Sequence, residues 1–391
     1  MARVDVIVNG LPLTVWKEVT IDRDYDKAVG QASIQFSEQP GKPCPMKLGD
    51  KCQVLIDGRP VVTGHAHDFY GDHGWENHPM TCVVRDKAQD AVDSTVGPKL
   101  KLKSPITLKQ AAERTLGVMG LSDIKVIDEV GPEPFQKGEV ISASIDDKGF
   151  SMLDQWAQKR QVLWGGDGKG NLVIQRNKQK RAPAYLTKLF EDSPVNNVKR
   201  GVFRNSDLER HNQVAVNGQR SPNDKDWWES KPKSERLGQA DPTQKNWGSA
   251  YDTEVRPTRR LHARGSKGLA GDSPKKAAKW RSSAARKKGF QYVGTVQGFY
   301  CNGWLWWPGF IIPVIDQHFE IAADLLIVTV KFKKNWEGGE VTDVTCTLPD
   351  AFTTEPGGSK SASRTGKFGA GSVEPGKYGE SEPPDTKDYS K

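Results

Sequence analysis

Cysteine is scarce in this chain of 391 residues: Cys44, Cys52, Cys82, Cys301 and Cys346 are odd in number, and no two sit at Cys-x-x-Cys spacing. That pattern argues against a disulfide framework or a cysteine zinc site, and points to a reducing cytoplasm. Long apolar runs are missing as well. The most apolar windows are 304–315, broken by Pro308 and Pro313, and 322–330; both fall short of the ~20 residues that span a bilayer. The N-terminus, Met1-Ala2-Arg3-Val4-Asp5, enters alternating residues without the basic stretch and apolar core of a signal peptide, so no membrane insertion by this chain is expected. Apolar residues make up only 36%, yet 12 Trp, 13 Phe and 8 Tyr exclude a wholly disordered chain. There is no nucleophile elbow, no His-Glu-x-x-His helix and no Cys paired with a following His. No catalytic residue, cofactor or metal is therefore expected. A cell-wall or carbohydrate enzyme has only the Trp and carboxylate content in its favour.

What the chain does contain is β alternation. Val4, Val6 and Val8 lead into Asn9-Gly10; Ala32, Ile34 and Phe36 precede Pro40-Gly41; Val54-Leu55-Ile56 and Val61-Val62 flank Asp57-Gly58. Asn-Gly and Asp-Gly between apolar runs predict hairpins with primed turns. Residues 1–97 therefore read as a small barrel or sandwich, taken as a first β-barrel. Residues 98–180 change period. Thr107 and Gln110 form a capping box before Leu108, Ala111, Ala112, Leu116 and Met119, with Gly120 as the stop. A second helix carries Phe150, Leu153, Trp156 and Ala157, followed by two short strands at 162–164 and 172–174, so this part reads as a small α+β domain. Residues 181–352 return to strands at 214–216, 292–299, 309–315, 325–332 and 341–347, a second β-barrel with a polar, helical insertion at about 221–290. Within it, Ser273-Pro274 starts a helix that Gly289 ends. Residues 353–391 hold seven Gly, six Ser and four Pro, with six basic and six acidic residues, the composition of an extended tail; it is expected to wrap or plug a neighbouring subunit or spike, ordering on contact. The fold class is thus β-rich α+β.

Three local features invite sharper readings. The loop Gly165–Asn171 lacks the spacing of a Walker or dinucleotide motif and reads as a hairpin turn. His65, His67, Asp68, His73 and His78 crowd into 14 residues, with His65 and His67 on one strand face; a solvated barrel face is favoured over a metal site. Trp304, Trp306 and Trp307 alternate imperfectly, so at least one is expected to be exposed or to meet a partner.

The charge distribution is the anomaly. From Arg256 to Lys288 there are twelve cations (Arg256, Arg259, Arg260, Arg264, Lys267, Lys275, Lys276, Lys279, Arg281, Arg286, Lys287, Lys288) against Asp272 alone, a local excess of eleven against +8 for the whole chain. The remainder is net acidic. One reading is a solvated helix and loop meeting an acidic neighbour. The other is contact with a polyanion, most naturally DNA phosphates, without sequence-specific reading because no aromatic interleaving is visible.

The order barrel, helix-strand, helix-hairpin, barrel resembles the baseplate hub proteins of contractile phage tails, specifically the Mu-like hub of the late control D or P-type tail protein family, related to type VI secretion spike hubs. The phrases that carry this are 8–19, Leu55-Ile56-Asp57-Gly58 with Val62-Thr63-Gly64-His65, Arg85–Ser94, Phe150–Arg160 with 162–174, 296–306, 325–328 and Pro349-Asp350-Ala351-Phe352, together covering about residues 4–352. The resemblance implies a homotrimer whose six barrels imitate a hexamer, a symmetry adaptor between the sixfold tail tube and a trimeric central spike. It implies baseplate wedge proteins and the tape measure protein as further partners, DNA passing transiently through the lumen during genome ejection, and residence in the virion tail baseplate after assembly in the host bacterial cytoplasm. With no needle β-helix or lysozyme-like segment in the sequence, a separate spike protein is expected. The alternative is a non-specific nucleic-acid-binding protein using residues 256–288.

Overall fold

The computed structural model describes residues 1–37, 44–71, 79–97, 100, 102, 105–135, 148–176, 180–219, 247–267, 273–336 and 339–352. The expected turn at Pro40-Gly41 and the tail from residue 353 lie outside them. Alternation becomes strand wherever one face can be buried. The first region supplies β1 (Val4–Val8), β2 (Leu11–Pro12), β3 (Glu18–Asp24), β4 (Gln31–Ser37), β5 (Lys51–Ile56), β6 (Arg59–Gly71) and β7 (Pro79–Asp86). Both expected primed turns are present. Asn9 and Gly10 have φ of 49° and 84°, Asp57 and Gly58 of 48° and 79°, the double left-handed geometry that Asn-Gly and Asp-Gly tolerate.

A short helix, α1 (Gln89–Asp93), leads into α2 (Leu108–Val118), β8 (Val126–Asp128), α3 (Gly149–Arg160), β9 (Leu163–Gly166) and β10 (Leu172–Gln175). The capping box forms as read: Thr107 Oγ1 accepts from the Gln110 amide at 3.2 Å, and Gln110 Oε1 accepts from the Thr107 amide at 3.1 Å. Leu108, Ala111, Ala112 and Leu116 pack with Leu153, Trp156, Ala157 and Trp164 over the sheet β8–β10–β9, a core of its own. Each fully buried Leu or Trp there contributes on the order of 1.5–3 kcal/mol of transfer free energy.

The last region supplies β11 (Leu186–Lys188), β12 (Val198–Asn205), β13 (Gln213–Gln219), β14 (Trp247–Tyr251), β15 (Arg260–Lys267), α4 (Ser273–Gly289), β16 (Phe290–Gln297), β17 (Tyr300–Cys301), β18 (Trp304–Leu305), β19 (Ile311–Asp316), β20 (Ile321–Asn335), β21 (Gly339–Thr347) and a 3-10 turn at Pro349–Phe352. The two β regions are joined in one sheet of order β12–β16–β21–β20–β3–β4–β7–β6–β5–β1–β2. The length of β20 makes this possible. Its first half pairs with β19, its second half pairs antiparallel with β3 from Thr329↔Asp24 to Asn335↔Glu18, and β21 runs along its other side. One apolar cluster accordingly holds Val6, Ile21 and Val54 from the first region together with Tyr292, Val330 and Val344 from the last.

The strand at 214–216 departs from the expectation that it belongs to the second barrel. It lies in β13, the centre of a separate sheet β14–β13–β15, and so belongs with the insertion. The reason is local: Val214 and Val216 find their apolar partners in Ala250 and Ala278, not in the main core. The tryptophan expectation is also displaced. Trp306 is fully buried, and Trp304 and Trp307 are half-buried against their own core, whereas Trp336 is 86% exposed.

Arg23 interrupts the inward row Val19, Ile21 on β3, and it sits at the meeting point of three parts of the chain. Its guanidinium pairs with Asp86 at the end of β7, donates to the Gly166 carbonyl of β9 at 2.6 Å, and lies 5.3 Å from the ring centroid of Trp307. Asp86 also accepts from the amides of Gly30 (2.8 Å) and Thr63 (2.9 Å). A Cβ at Gly30 would come within 2.0 Å of the guanidinium, so the pocket closes only around glycine.

Candidate interaction surfaces

The basic segment lies in the insertion, and its geometry follows from how α4 is seated. Ala277 and Ala278 face Val214, Val216, Ala250 and Leu261, so the small sheet and α4 share a modest apolar core. The approach is close at one end: a Cβ on Gly248 would fall 1.9 Å from the Lys275 amide nitrogen. At the other end the insertion is tied down by charge. Arg210 is buried and bidentate on Asp252, at 2.8 to 3.0 Å, and donates to Glu254 at 2.6 Å. Burial works against the charge of Arg210, but Glu254 and Asp252 outweigh it and raise the guanidinium above its ordinary value. Arg286 donates to Asp350 at 2.6 Å and to Glu254 at 3.2 Å, joining α4 to the turn from which the C-terminal tail departs.

The twelve cations therefore divide. Arg256 and Arg259 flank Asp207 at 3.5 and 3.6 Å, and Arg259 also donates to the carbonyls of Leu208 and Arg210. Lys287 pairs with Asp26 and Lys288 with Glu209 at 2.7 Å. With Arg286, these five meet acids of the same chain. Arg260 and Arg264 are exposed on β15; Arg260 donates to the Pro257 carbonyl, while Arg281 donates to the Arg264 carbonyl at 3.2 Å. Lys275, Lys276 and Arg281 are exposed on α4 and Lys279 is half-buried. Among the described residues no carboxylate pairs with these six. Lys267 ends β15, and its side chain lies outside the described residues.

Sequence reasoning found no aromatic interleaving, and here the structure supplies it. Register places Tyr251, Gln213 and Arg260 in one row across the small sheet, and Trp247, Asn217 and Arg264 in another, with Ser249, Ala215 and His262 between. These side chains occupy the face opposite α4. Trp247 is 47% and Tyr251 67% exposed; the Trp247 ring meets His262 edge-on at 6.0 Å, and Gln213 donates to the Tyr251 hydroxyl at 3.2 Å. The aromatics and arginines come from strands separated in the sequence, so no local motif announces them.

The other features read from the sequence resolve simply. The 165–171 loop joins β9 and β10, and its amides turn inward: Asp167 accepts from the Lys169 and Asn171 amides at 2.8 and 3.0 Å, leaving no phosphate cradle there. His65 and His67 lie on β6, where His67 sits at a register shift with Nε2 3.9 Å from Asp90, and Asp68 pairs with Arg85. His73 and His78 lie outside the described residues. Among the described residues no three metal-ligating side chains converge, and no helix is long and apolar enough to cross a membrane.

Comparison with known proteins bears out the resemblance at both ends. Residues 3–86 match the Mu phage baseplate assembly protein GpP-like family, N-terminal domain, and residues 271–355 match the GpP fourth domain. No curated protein matches the chain. Among solved structures, the 43 kDa tail protein of prophage MuSo2 from Shewanella oneidensis is 23% identical with a TM-score of 0.72, over 89% of this chain and 98% of that one. A tail protein from Neisseria meningitidis is 22% identical with a TM-score of 0.72, over 90% and 99%. An Escherichia coli component of the type VI secretion system, described as similar to the T4 tail proteins gp27 and gp5, has a TM-score of 0.51 at 10% identity, over 88% and 76%. The shared fold is that of these tail proteins.

Proposed function

We propose that this chain, whose first and last β segments carry the N-terminal and fourth domains of the Mu phage baseplate assembly protein family, is the structural hub of a contractile tail baseplate. At the coarser level it is a structural protein of the phage tail and virion. In the finer reading three copies form a ring, two β units per chain imitate six, one face meets the hexameric tail tube and the other a trimeric spike. Wedge proteins attach outside, the tape measure protein ends above, DNA crosses the lumen, and assembly takes place in the host cytoplasm. The role is mechanical, without a catalytic step. The four-part organisation (1–97, 98–180, 181–352 with its insertion, and the 353–391 tail) belongs to the same proposal.

The observation that carries this reading is the β3–β20 ladder. It makes the two matched segments parts of one sheet and one core, which is what a chain presenting two quasi-equivalent units at a fixed angle requires. Light scattering of the chain, alone and with a spike partner, tests it: masses in multiples of three are expected, and a protein that never assembles in threes with any tail partner refutes it.

The polyanion reading keeps a narrower basis, the six cations without a described acid partner. Binding to DNA that falls steeply with salt is its expected signature, and no binding at low salt ends it.

A further inference from the structure

The outer face of the β14–β13–β15 sheet has the composition of a peptide-binding surface. Trp247 and Tyr251 project from one strand; Arg260, His262 and Arg264 project from the strand two ladders away. Exposed Trp, Tyr and Arg together are the residue types that dominate binding energy when covered. The tail contains a segment of opposite character. Its charges cancel as a whole but are polarised: residues 353–377 are net basic, whereas residues 378–390 contain Glu380, Glu382, Asp385 and Asp388 against Lys387. The same segment carries Tyr378, Pro383, Pro384 and Tyr389. Paired prolines favour polyproline II, a conformation that aromatic-lined surfaces recognise with little ordering cost.

We propose that residues 378–390 dock on this outer face of the same chain's insertion. Spacing and reach both agree. Trp247 and Tyr251, four residues apart on β14, stand about 13 Å apart at strand rise. Pro384 and Tyr389, five residues apart, stand about 15 Å apart in polyproline II, with Asp385 and Asp388 between them to meet Arg260 and Arg264. The tail departs from the turn at Pro349–Phe352, which packs on α4 through Arg286 and Asp350. The outer face lies beyond one helix layer and one sheet layer, on the order of 20 Å away. A Gly- and Ser-rich linker of 25 residues, the length of 353–377, spans about 25–30 Å as a root-mean-square, enough to bridge that distance and to supply the segment at millimolar effective concentration. This proposal stands whether or not the hub reading holds, because it concerns two parts of one chain.

The test uses the full chain with Tyr389→p-benzoylphenylalanine as a photo-crosslinker, in a mixture of 14N and 15N protein. Cross-links within one chain to peptides containing residues 247–264 are expected. Arg260→Glu with Arg264→Glu should lower their yield about tenfold, from two lost pairs and two new repulsions. Adding Asp385→Lys and Asp388→Lys to that variant should restore it, which separates lost docking from lost folding. Cross-links elsewhere, cross-links only between chains, or a yield indifferent to the charge swap would overturn the proposal. So would a labelled oligothymidine that binds the face equally well with the tail charges neutralised, which would reassign the face to nucleic acid.

Discussion

Replacing Asp86 with alanine strikes a buried ion pair at the point where the first β region meets both neighbouring parts. The side chains of Arg23 and Asp86 are 2% and 1% exposed. With Asp86 gone, the guanidinium keeps only the Gly166 carbonyl and the Trp307 ring, and the Gly30 and Thr63 amides lose their acceptor. Breaking a buried pair by removing one partner costs about 3–5 kcal/mol, mostly because the remaining charge is left unpaired away from water. Against a total stability of roughly 5–15 kcal/mol that is a large fraction. Arg23→Met should cost a similar amount. The double variant should lose less than the sum of the two, with a coupling of about 1–3 kcal/mol, because no unpaired charge remains buried. Urea unfolding followed by tryptophan fluorescence measures the three shifts. Hydrogen exchange at the Gly30 and Thr63 amides reads the junction locally. A loss under about 1 kcal/mol for either single variant, or strict additivity in the double, would refute the reasoning, since neither fits a desolvated pair.

Three further outcomes follow from named contacts. Gly248→Val should drive a side chain into the start of α4, 1.9 Å from the Lys275 nitrogen, at a cost of at least about 1–3 kcal/mol; exchange protection should fall in β14 and α4 and persist in β3 and β20. Burial pushes the thiols of Cys52 and Cys82 up to about 12, so at pH 8 a maleimide should leave both unmodified in the folded protein and label them in urea, as mass spectrometry would read. Burial raises the Asp343 carboxyl, but bonds from Lys333 and Thr295 outweigh it and hold the group below its ordinary value. A depressed carboxylate contributes stability above its unfolded value and loses it as the pH falls through the folded one. Asp343→Asn should therefore cost under about 1 kcal/mol at pH 6, as expected of a partly exposed pair, and less as the pH falls into the acid range; a cost that does not change with pH would contradict the assignment.

The strands and helices were legible where periodicity is one-dimensional. Val4, Val6 and Val8, or Thr107 to Leu116, announce their faces because each residue's environment is decided by its neighbours two to four positions away. What was not legible depends on which element lies alongside. Val214 and Val216 alternate like any core strand, and only their pairing with β14 and β15 shows that they serve the insertion. Arg23 and Asp86 look like solvated charges at the polar ends of strands until β3, β7 and β9 close over them. Trp247 and Arg264 become neighbours through β13, which lies between them in the sheet but before both in the sequence.

The same limit governs the basic run. A count over residues 256–288 treats twelve cations as one patch, but a helix rises about 1.5 Å per residue, so Lys275 and Lys287 lie about 18 Å apart along α4. At its C-terminal end Arg286, Lys287 and Lys288 meet Asp350, Asp26 and Glu209, where cations are also favoured by the helix dipole. In its first turn Lys275 and Lys276 have no described acid to meet, and the dipole there disfavours them; Lys279, one turn on, has no described acid either. Cations placed against the dipole cost stability, by a few tenths of a kcal/mol each. The internally paired end serves to seat the insertion on the main sheet. Among the described residues, the cations of the segment without an acid partner lie on the helix N-terminal half and at Arg260 and Arg264 on β15, two surfaces on opposite sides of one small sheet.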